Sequence, residues 1–168
     1  MSFLVRKINK AKWPKENFSE FDIRNLRADA LTSCLRTSKD TLSTWEIQSM
    51  EDLSEAILAL VSTFERLDKI DVVIIERNEI SNSGFEIEDT PGDTPIDELK
   101  NTHKDIVGLT YKTMGEFSQL LLDTMGVEGR MERYTVKKVE KLLKSAIDSG
   151  ILDLNSLKES LRKSLTAS

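Results

Sequence analysis

The stretch DVVIIERNEI, residues 71–80, decides how the rest of the chain is interpreted. Its four consecutive β-branched residues, 72–75, predict a strand, and an apolar run without alternation is typical of a strand covered on both faces. The run ends at Glu76, the first charged residue after it. Because α/β folds often place ligand-contacting groups where a buried strand ends, Glu76 is a candidate functional residue as well as a strand terminus.

An amphipathic helix precedes this strand. Ser49 and Asp52 have capping-box spacing, and apolar residues then recur at helical intervals over about 50–68. Residues 41–47 read as a strand, so 41–76 is predicted as strand, helix and strand, a unit that can form a parallel right-handed crossover. Residues 30–36 are predicted to pair with 41–47 as a hairpin, and residues 3–8 to form another short strand.

Downstream of the strand, a polar connection ends in DTPGDTP at 89–95. Two prolines and a glycine exclude a regular element there, while 85–88 can form an edge strand before it. Apolar residues then recur at helical spacing and predict one long helix over about 94–125. Helices over 135–149 and 154–165, separated by Gly150, are predicted to form an α-hairpin.

Together these elements predict an α+β fold in a single domain, 1–168. Residues 1–90 are expected to supply a small mixed sheet with a covering helix, and residues 93–168 a helical half.

The lone Cys34 cannot form an internal disulfide, which favours a cytoplasmic location. The apolar runs are too short to span a bilayer, and the first residues do not resemble a signal peptide, so no membrane partner is expected.

Motifs for catalysis or cofactor binding are missing from the sequence. GxxxxGK[ST], GxGxxG, HExxH and GxSxG do not occur, and one cysteine with one histidine cannot form a structural zinc site. Glu76 is followed by Arg77 and Asn78, so the lysine that a metal-dependent nuclease strand would carry at the third position of this triplet is absent. We therefore expect no catalytic residue, no bound metal and no cofactor.

His103 is the only histidine, so any histidine-based acid–base chemistry must use it. It falls in the apolar stripe of the predicted long helix, which favours a partly buried structural role. Pairing with Cys34 as a nucleophile and base is the enzymatic alternative. Cys34 lies in a predicted strand, where a small buried thiol is common.

Charge is distributed unevenly along the chain. A formal net charge of -5 argues against a surface devoted entirely to nucleic acid. Residues 76–98 contain eight carboxylates and one arginine, which predicts an acidic docking surface for a basic protein partner, because charge complementarity raises association rate and selectivity. The residues expected to form this surface are Glu76, Glu79, Glu86, Glu88, Asp89 and Asp93.

A segment of opposite charge covers residues 130–144, with six basic and two acidic residues. Because it opens the predicted α-hairpin, a helix-turn-helix that binds nucleic acid is an alternative interpretation. The candidate phosphate-binding residues are Arg133, Lys137, Lys138, Lys141 and Lys144.

The leading hypothesis is a non-enzymatic interaction module of the accessory, adaptor or immunity type. Acidic and basic patches on one chain also allow a homo-oligomer formed through opposite charges. The first alternative is a nucleic-acid-binding protein that uses the C-terminal hairpin, and the second is a carboxylate-dependent hydrolase that uses Glu76.

Overall fold

The computed structural model of the protein describes residues 2–15 and 18–166. In these ranges the strands are β1 (Phe3–Ile8), β2 (Leu42–Ile47), β3 (Ile70–Glu76), β4 (Glu86–Asp89), β5 (His103–Val107) and β6 (Met131–Tyr134). The α-helices are α1 (Ala28–Cys34), α2 (Leu53–Val61), α3 (Arg77–Asn82), α4 (Tyr111–Met125), α5 (Val136–Asp148) and α6 (Glu159–Thr166). Short 3₁₀ segments include Met50–Asp52 before α2 and Asp97–Thr102 before β5.

The six strands form one sheet in the order β4-β5-β2-β1-β3-β6, and every pair of neighbours is antiparallel. In the described part of the chain, β4 and β6 are therefore the two edges. The interior strands are fixed by cross-strand register, for example Val5 opposite both Trp45 and Ile74. Because register also sets the facing direction of each side chain, it decides which residues enter which core.

Helices cover both faces of this sheet. On one face α2, α5 and α6 pack on a core that includes Val72 and Ile74 of β3. On the other face α1 and α4 pack on a core that includes Val73 and Ile75. Successive strand residues point to opposite faces, so a strand between two helical layers needs apolar residues at every position. This explains the uninterrupted run at 72–75.

The α+β class is confirmed, and so are several elements. The predicted strands at 3–8, 41–47 and 72–75 are β1, β2 and β3, and β3 has neighbours on both sides. The predicted edge strand at 85–88 corresponds to β4, which lies at the end of the sheet. Helices α2 and α5 lie within the segments predicted as helical, and α6 forms the second half of the last one.

The mixed sheet with a parallel crossover was wrong. β2 and β3 run in the same direction, but both pair with β1, which lies between them and runs antiparallel to each. The N-terminal strand therefore occupies the place where a direct parallel pair was expected. Periodicity along residues 41–76 carries no information about such an insertion, because the inserted strand comes from a distant part of the chain.

The hairpin of 30–36 with 41–47 was also wrong, because residues 28–34 form α1. Ala30 and Cys34, four residues apart, are both buried and lie on one side of that helix. The tight turn that remains is the bridge between Ser38 and Thr41, whose two central residues, Lys39 and Asp40, have φ of 54° and 59°. These angles match the two-residue turns that reverse a chain sharply.

The single long helix over 94–125 does not exist. Residues 97–102 are 3₁₀-helical, 103–107 form β5, and the α-helix begins only at Tyr111. Gly108 has φ of +78°, which a right-handed helix cannot contain. Thr110 then starts α4 with a capping box that involves Thr113.

The half predicted to be helical, 93–168, thus supplies two strands to the sheet, β5 and β6. Gly129, with φ of +79°, turns the chain into β6, and the N–H of Ile74 donates to the carbonyl of Arg130 at 2.9 Å. Within the described residues, no helix has the length and apolar content needed to cross a bilayer.

Candidate functional site

Glu76 lies at the end of β3, where its carboxylate has structural partners. It forms an ion pair with Arg130, and it accepts the backbone N–H of Glu79 in a capping box that starts α3. The Glu79 carboxylate returns the interaction by accepting the N–H of Glu76 at 3.1 Å. The Arg130 guanidinium also lies 4.8 Å from the centre of the Phe3 ring. Glu76 and Glu79 therefore fix the junction between β3, α3 and the turn before β6.

Two further carboxylates of the inner strands are paired with cations as well. Asp71 on β3 accepts two hydrogen bonds from the guanidinium of Arg133, at 2.5 and 3.0 Å. Glu46 on β2 accepts one from Arg77 at 2.9 Å. Because a buried or half-buried carboxylate is costly unless a cation compensates it, these pairs serve the fold itself.

Lys104 on β5 connects the inner strands to the edge. Its side chain is 9% exposed, and its ammonium lies 3.7 Å from Glu46 and 2.9 Å from Asp89 on β4. The same ammonium donates to the carbonyl of Asn101 at 3.0 Å. The hydrogen bond from Lys104, reinforced by its positive charge, holds the pKa of the exposed Asp89 carboxyl below its usual value.

The edge strand β4 presents carboxylates that are not neutralised. Glu86, Glu88 and, in the following loop, Asp93 are exposed. Among the described residues, none of these three carboxylates has an ion-pair or hydrogen-bond partner. Glu86 and Glu88 point to the same face because side chains alternate along a strand, and Glu88 stands directly opposite Asp105 of β5. We define Glu86, Glu88 and Asp93 as the acidic edge.

A hydrogen-bonded cluster joins the loop after β4 to β5. The Thr90 hydroxyl donates to Asp105 Oδ2 at 3.0 Å and lies 2.9 Å from His103 Nδ1. Since the hydroxyl proton goes to the carboxylate, Nδ1 must carry the proton that completes the second contact, and the carbonyl of Thr90 at 3.2 Å can accept it too. His103 also packs edge-on against Trp45, with ring centres 5.1 Å apart. The other oxygen of Asp105, Oδ1, is buried without a partner in the described structure.

Gly92 places this loop tightly on the sheet. A Cβ at this position would lie 2.4 Å from Trp45 Cη2 and 2.8 Å from His103 Cβ. Real Cβ atoms do not approach so closely, so only glycine fits without a shift of the ring or the loop. The loop that carries Asp93 is thus held against Trp45 and His103, while the carboxylate of Asp93 remains exposed.

Glu76, His103 and Cys34 are not brought together. His103 is on β5 and Glu76 on β3, with β2 and β1 between them, so they are at least about 14 Å apart across the sheet. Cys34 belongs to the core on the opposite face from Trp45, where its sulfur accepts N–H bonds from Asn9 and Trp13 at 3.0 and 3.3 Å. In residues 2–15 and 18–166, no three His, Cys, Asp or Glu side chains are placed to share a metal ion.

The basic segment, residues 130–144, contains both paired and exposed cations. Arg133 is engaged with Asp71, and Lys144 pairs with Glu140 at 2.8 Å. Lys137, Lys138 and Lys141 are exposed on α5. Residues 149–158 separate α5 from α6, which is longer than the short turn of a helix-turn-helix, and Leu161 and Leu165 of α6 are buried in the core. Nucleic-acid binding by this segment stays a prediction.

Sequence reasoning found the acidic segment but missed the groups that organise it. Lys104 and Asp105 lie in a stretch whose apolar spacing predicts a helix, so the sequence does not indicate their contacts with Asp89 and Thr90. The β-branched pair Ile106 and Val107, followed directly by a glycine, was the available signal for a strand end.

In the part of the chain that the structure describes, an antiparallel sheet lies between two helical layers, and its β4 edge is acidic and has no further strand neighbour. Comparisons of the chain with protein-family models, with curated proteins and with solved structures found no match.

Proposed function

We propose that this protein is a non-enzymatic interaction module of the cytoplasm, of the accessory, adaptor or immunity type, that binds a basic protein through its acidic edge. The observation that carries the proposal is that some carboxylates of the sheet are paired with a cation and others are not. Glu46, Asp71 and Glu76 on the inner strands are each paired with a cation, whereas Glu86, Glu88 and Asp93 have none among the described residues.

Electrostatic complementarity supports this assignment. Exposed carboxylates without internal partners keep their full charge for an incoming cation and steer a basic protein during encounter. The edge is also well supported, because Phe85, directly before β4, packs edge-on against Phe117 of α4, with ring centres 5.2 Å apart. Gly92 and His103 fix the loop that follows β4. A rigid platform lowers the entropic cost of binding.

The test is charge reversal with a matched control. The test variant is Glu86→Lys, Glu88→Lys and Asp93→Lys, and the control is Glu116→Lys, Glu128→Lys and Asp148→Lys. The control residues are also exposed acids without a partner among the described residues, so both variants change net charge equally. The probe is a fluorescein-labelled peptide of alternating lysine and glycine, which has little tendency to form strands.

Fluorescence anisotropy should detect binding of this peptide to the wild type and to the control, and a loss of at least tenfold in affinity for the test variant. Binding should weaken as salt rises from about 50 to about 300 mM, since screening acts on exposed charges. Equal affinities for the two variants would contradict the proposal. Light scattering after size-exclusion chromatography, run in parallel, tests whether a second copy of the chain binds the same edge.

A further inference from the structure

The backbone of β4 suggests how a basic partner would bind. Within the described residues, β4 pairs only with β5, so one side of its backbone lacks a strand neighbour. An edge of this kind can accept an additional strand, which supplies main-chain hydrogen bonds and places its alternate side chains against those of β4.

We infer that the acidic edge receives an extended segment of the basic partner as an added strand, with a cation, an apolar residue and a cation at successive positions. This inference rests on the proposed function, and it adds the mode of binding and the sequence pattern recognised. It commits to a flexible segment of a partner protein as the occupant.

The pattern follows from the alternation along β4. Glu86 and Glu88 point to one face, while Ile87 points to the other and packs at the margin of the core that contains Phe117. Directly opposed side chains on neighbouring strands have Cβ atoms about 4.5–5.5 Å apart. Lysine or arginine across from each glutamate and an apolar residue across from Ile87 would therefore match all three positions.

The neighbouring strand β5 also favours a cation opposite Glu88. Glu88 is directly opposite Asp105, and like charges at opposed positions destabilise a sheet. Asp105 Oδ1 has no hydrogen-bond partner in the described structure. A positive side chain across from Glu88 would reduce the repulsion between these two carboxylates, whereas Asp89, on the other face, is already paired with Lys104.

The probes are peptides of about ten residues. The first has a central Lys-Ile-Lys-Ile-Lys pattern, and the second has the same composition with its lysines grouped together. Two further peptides keep the first sequence and carry N-methyl groups on one or the other alternate set of backbone amides. N-methylation removes the donor and blocks strand pairing without changing charge, and only the set that faces β4 matters.

We expect the alternating peptide to bind wild type at least tenfold more tightly than the grouped one. One N-methylated peptide should lose at least tenfold in affinity and the other should keep it, and hydrogen exchange should slow at the amides of residues 86–89. Glu86→Lys with Glu88→Lys should abolish binding of the alternating peptide, while Glu116→Lys with Glu128→Lys should not. A Glu-Ile-Glu-Ile-Glu peptide should bind the first variant, which also shows that this variant is folded.

Equal affinity for the alternating and grouped peptides, with no effect of either N-methyl set, would overturn strand addition while leaving electrostatic docking intact. Failure of every lysine peptide, including the lysine–glycine peptide, to bind wild type would overturn the proposed function as well. Charged edges also protect proteins from unwanted strand pairing, and that role alone predicts no binding of any of these peptides.

Discussion

The strands β3 and β4 belong to one sheet, yet their carboxylates have opposite surroundings. β3 has a strand on each side and helices over both faces, and its Asp71 and Glu76 are each paired with an arginine. β4 has one strand neighbour in the described structure, and its Glu86 and Glu88 are exposed without a cation. Charge on the inner strand is therefore compensated within the fold, whereas the charge of Glu86 and Glu88 has no counterion among the described residues.

Hydration explains why both arrangements are stable. A carboxylate that loses water must be compensated by a cation, while an exposed one remains hydrated and costs the fold little. The acidic segment of the sequence thus contains two kinds of carboxylate, those paired with a cation and those that are exposed and hydrated. Composition alone cannot distinguish them. Substitutions at matched positions of β3 and β4 should separate them by their effect on stability.

The largest difference is expected between two isoleucines. Ile74→Ala on β3 removes a fully buried side chain from the core beneath α2 and should lower the free energy of unfolding by about 2–5 kcal/mol. Ile87→Ala on β4 removes a half-buried one and should cost less than about 2 kcal/mol. Urea unfolding followed by circular dichroism measures both. Equal losses would show that the edge is as integral to the core as β3.

The attachment of the edge to the core is tested at Gly92. Gly92→Ala forces a Cβ against Trp45 and His103 and should destabilise the protein by about 1–3 kcal/mol. Gly115→Ala is the matched control, because it lies inside α4 with no described atom within 4 Å of the added Cβ. It should stabilise the protein by about 0.5–1 kcal/mol. Thermal unfolding of the two variants gives shifts of opposite sign if the loop is packed as described.

A third pair compares the glutamates directly. Glu76→Gln removes the charge that pairs with Arg130, whose side chain is 17% exposed, and should cost about 1–2 kcal/mol. Glu88→Gln removes a charge opposite Asp105 and should change stability by less than about 0.5 kcal/mol, in the stabilising direction. Urea midpoints for both variants test this, and a larger loss for Glu88→Gln would reverse the roles assigned to them.

Prediction from sequence succeeded where one physical signal dominated. The run at 72–75 is short and entirely β-branched, which favours a strand over a buried helix, and its burial on both faces follows from its apolar composition. The acidic segment was also recognisable as a site of unbalanced charge. Both inferences need only neighbours in the chain.

The strand order and the pairing of the glutamates depend on contacts between residues that are distant in the sequence. Nothing near β1 indicates that it separates β2 from β3, and β5 has the apolar spacing of a helix until Gly108 interrupts it. Which glutamates become neutralised is decided by Arg130 and Lys104, which reach them from other strands or turns. A tertiary ion pair leaves no local pattern, so Glu76 and Glu88 were indistinguishable by sequence.

The smallest effect is expected at Asp89, which lies on the edge strand but is paired with a cation. The quantity expected to change is the pKa of its carboxyl. Asp89 belongs to β4 but is paired with Lys104, which lowers the pKa of its carboxyl. A lowered pKa in the folded state means that the pair contributes stability above the carboxyl's unfolded pKa, and that this contribution is lost as pH falls through the folded pKa. Because Asp89 is exposed, the effect on stability is small and is better followed by its own titration.

Lys104→Met should raise the pKa of Asp89 toward its ordinary value, as measured by carbon-detected NMR of the carboxyl groups. Asp97 is an internal control, because its pKa is lowered by Lys100 and should not respond to the change at Lys104. Glu46 keeps Arg77 as a partner, so this inner-strand carboxylate stays paired in the variant. An unchanged Asp89 titration would mean that Lys104 does not reach the edge. In that case Asp89 would join Glu86 and Glu88 as a carboxylate available to a basic partner.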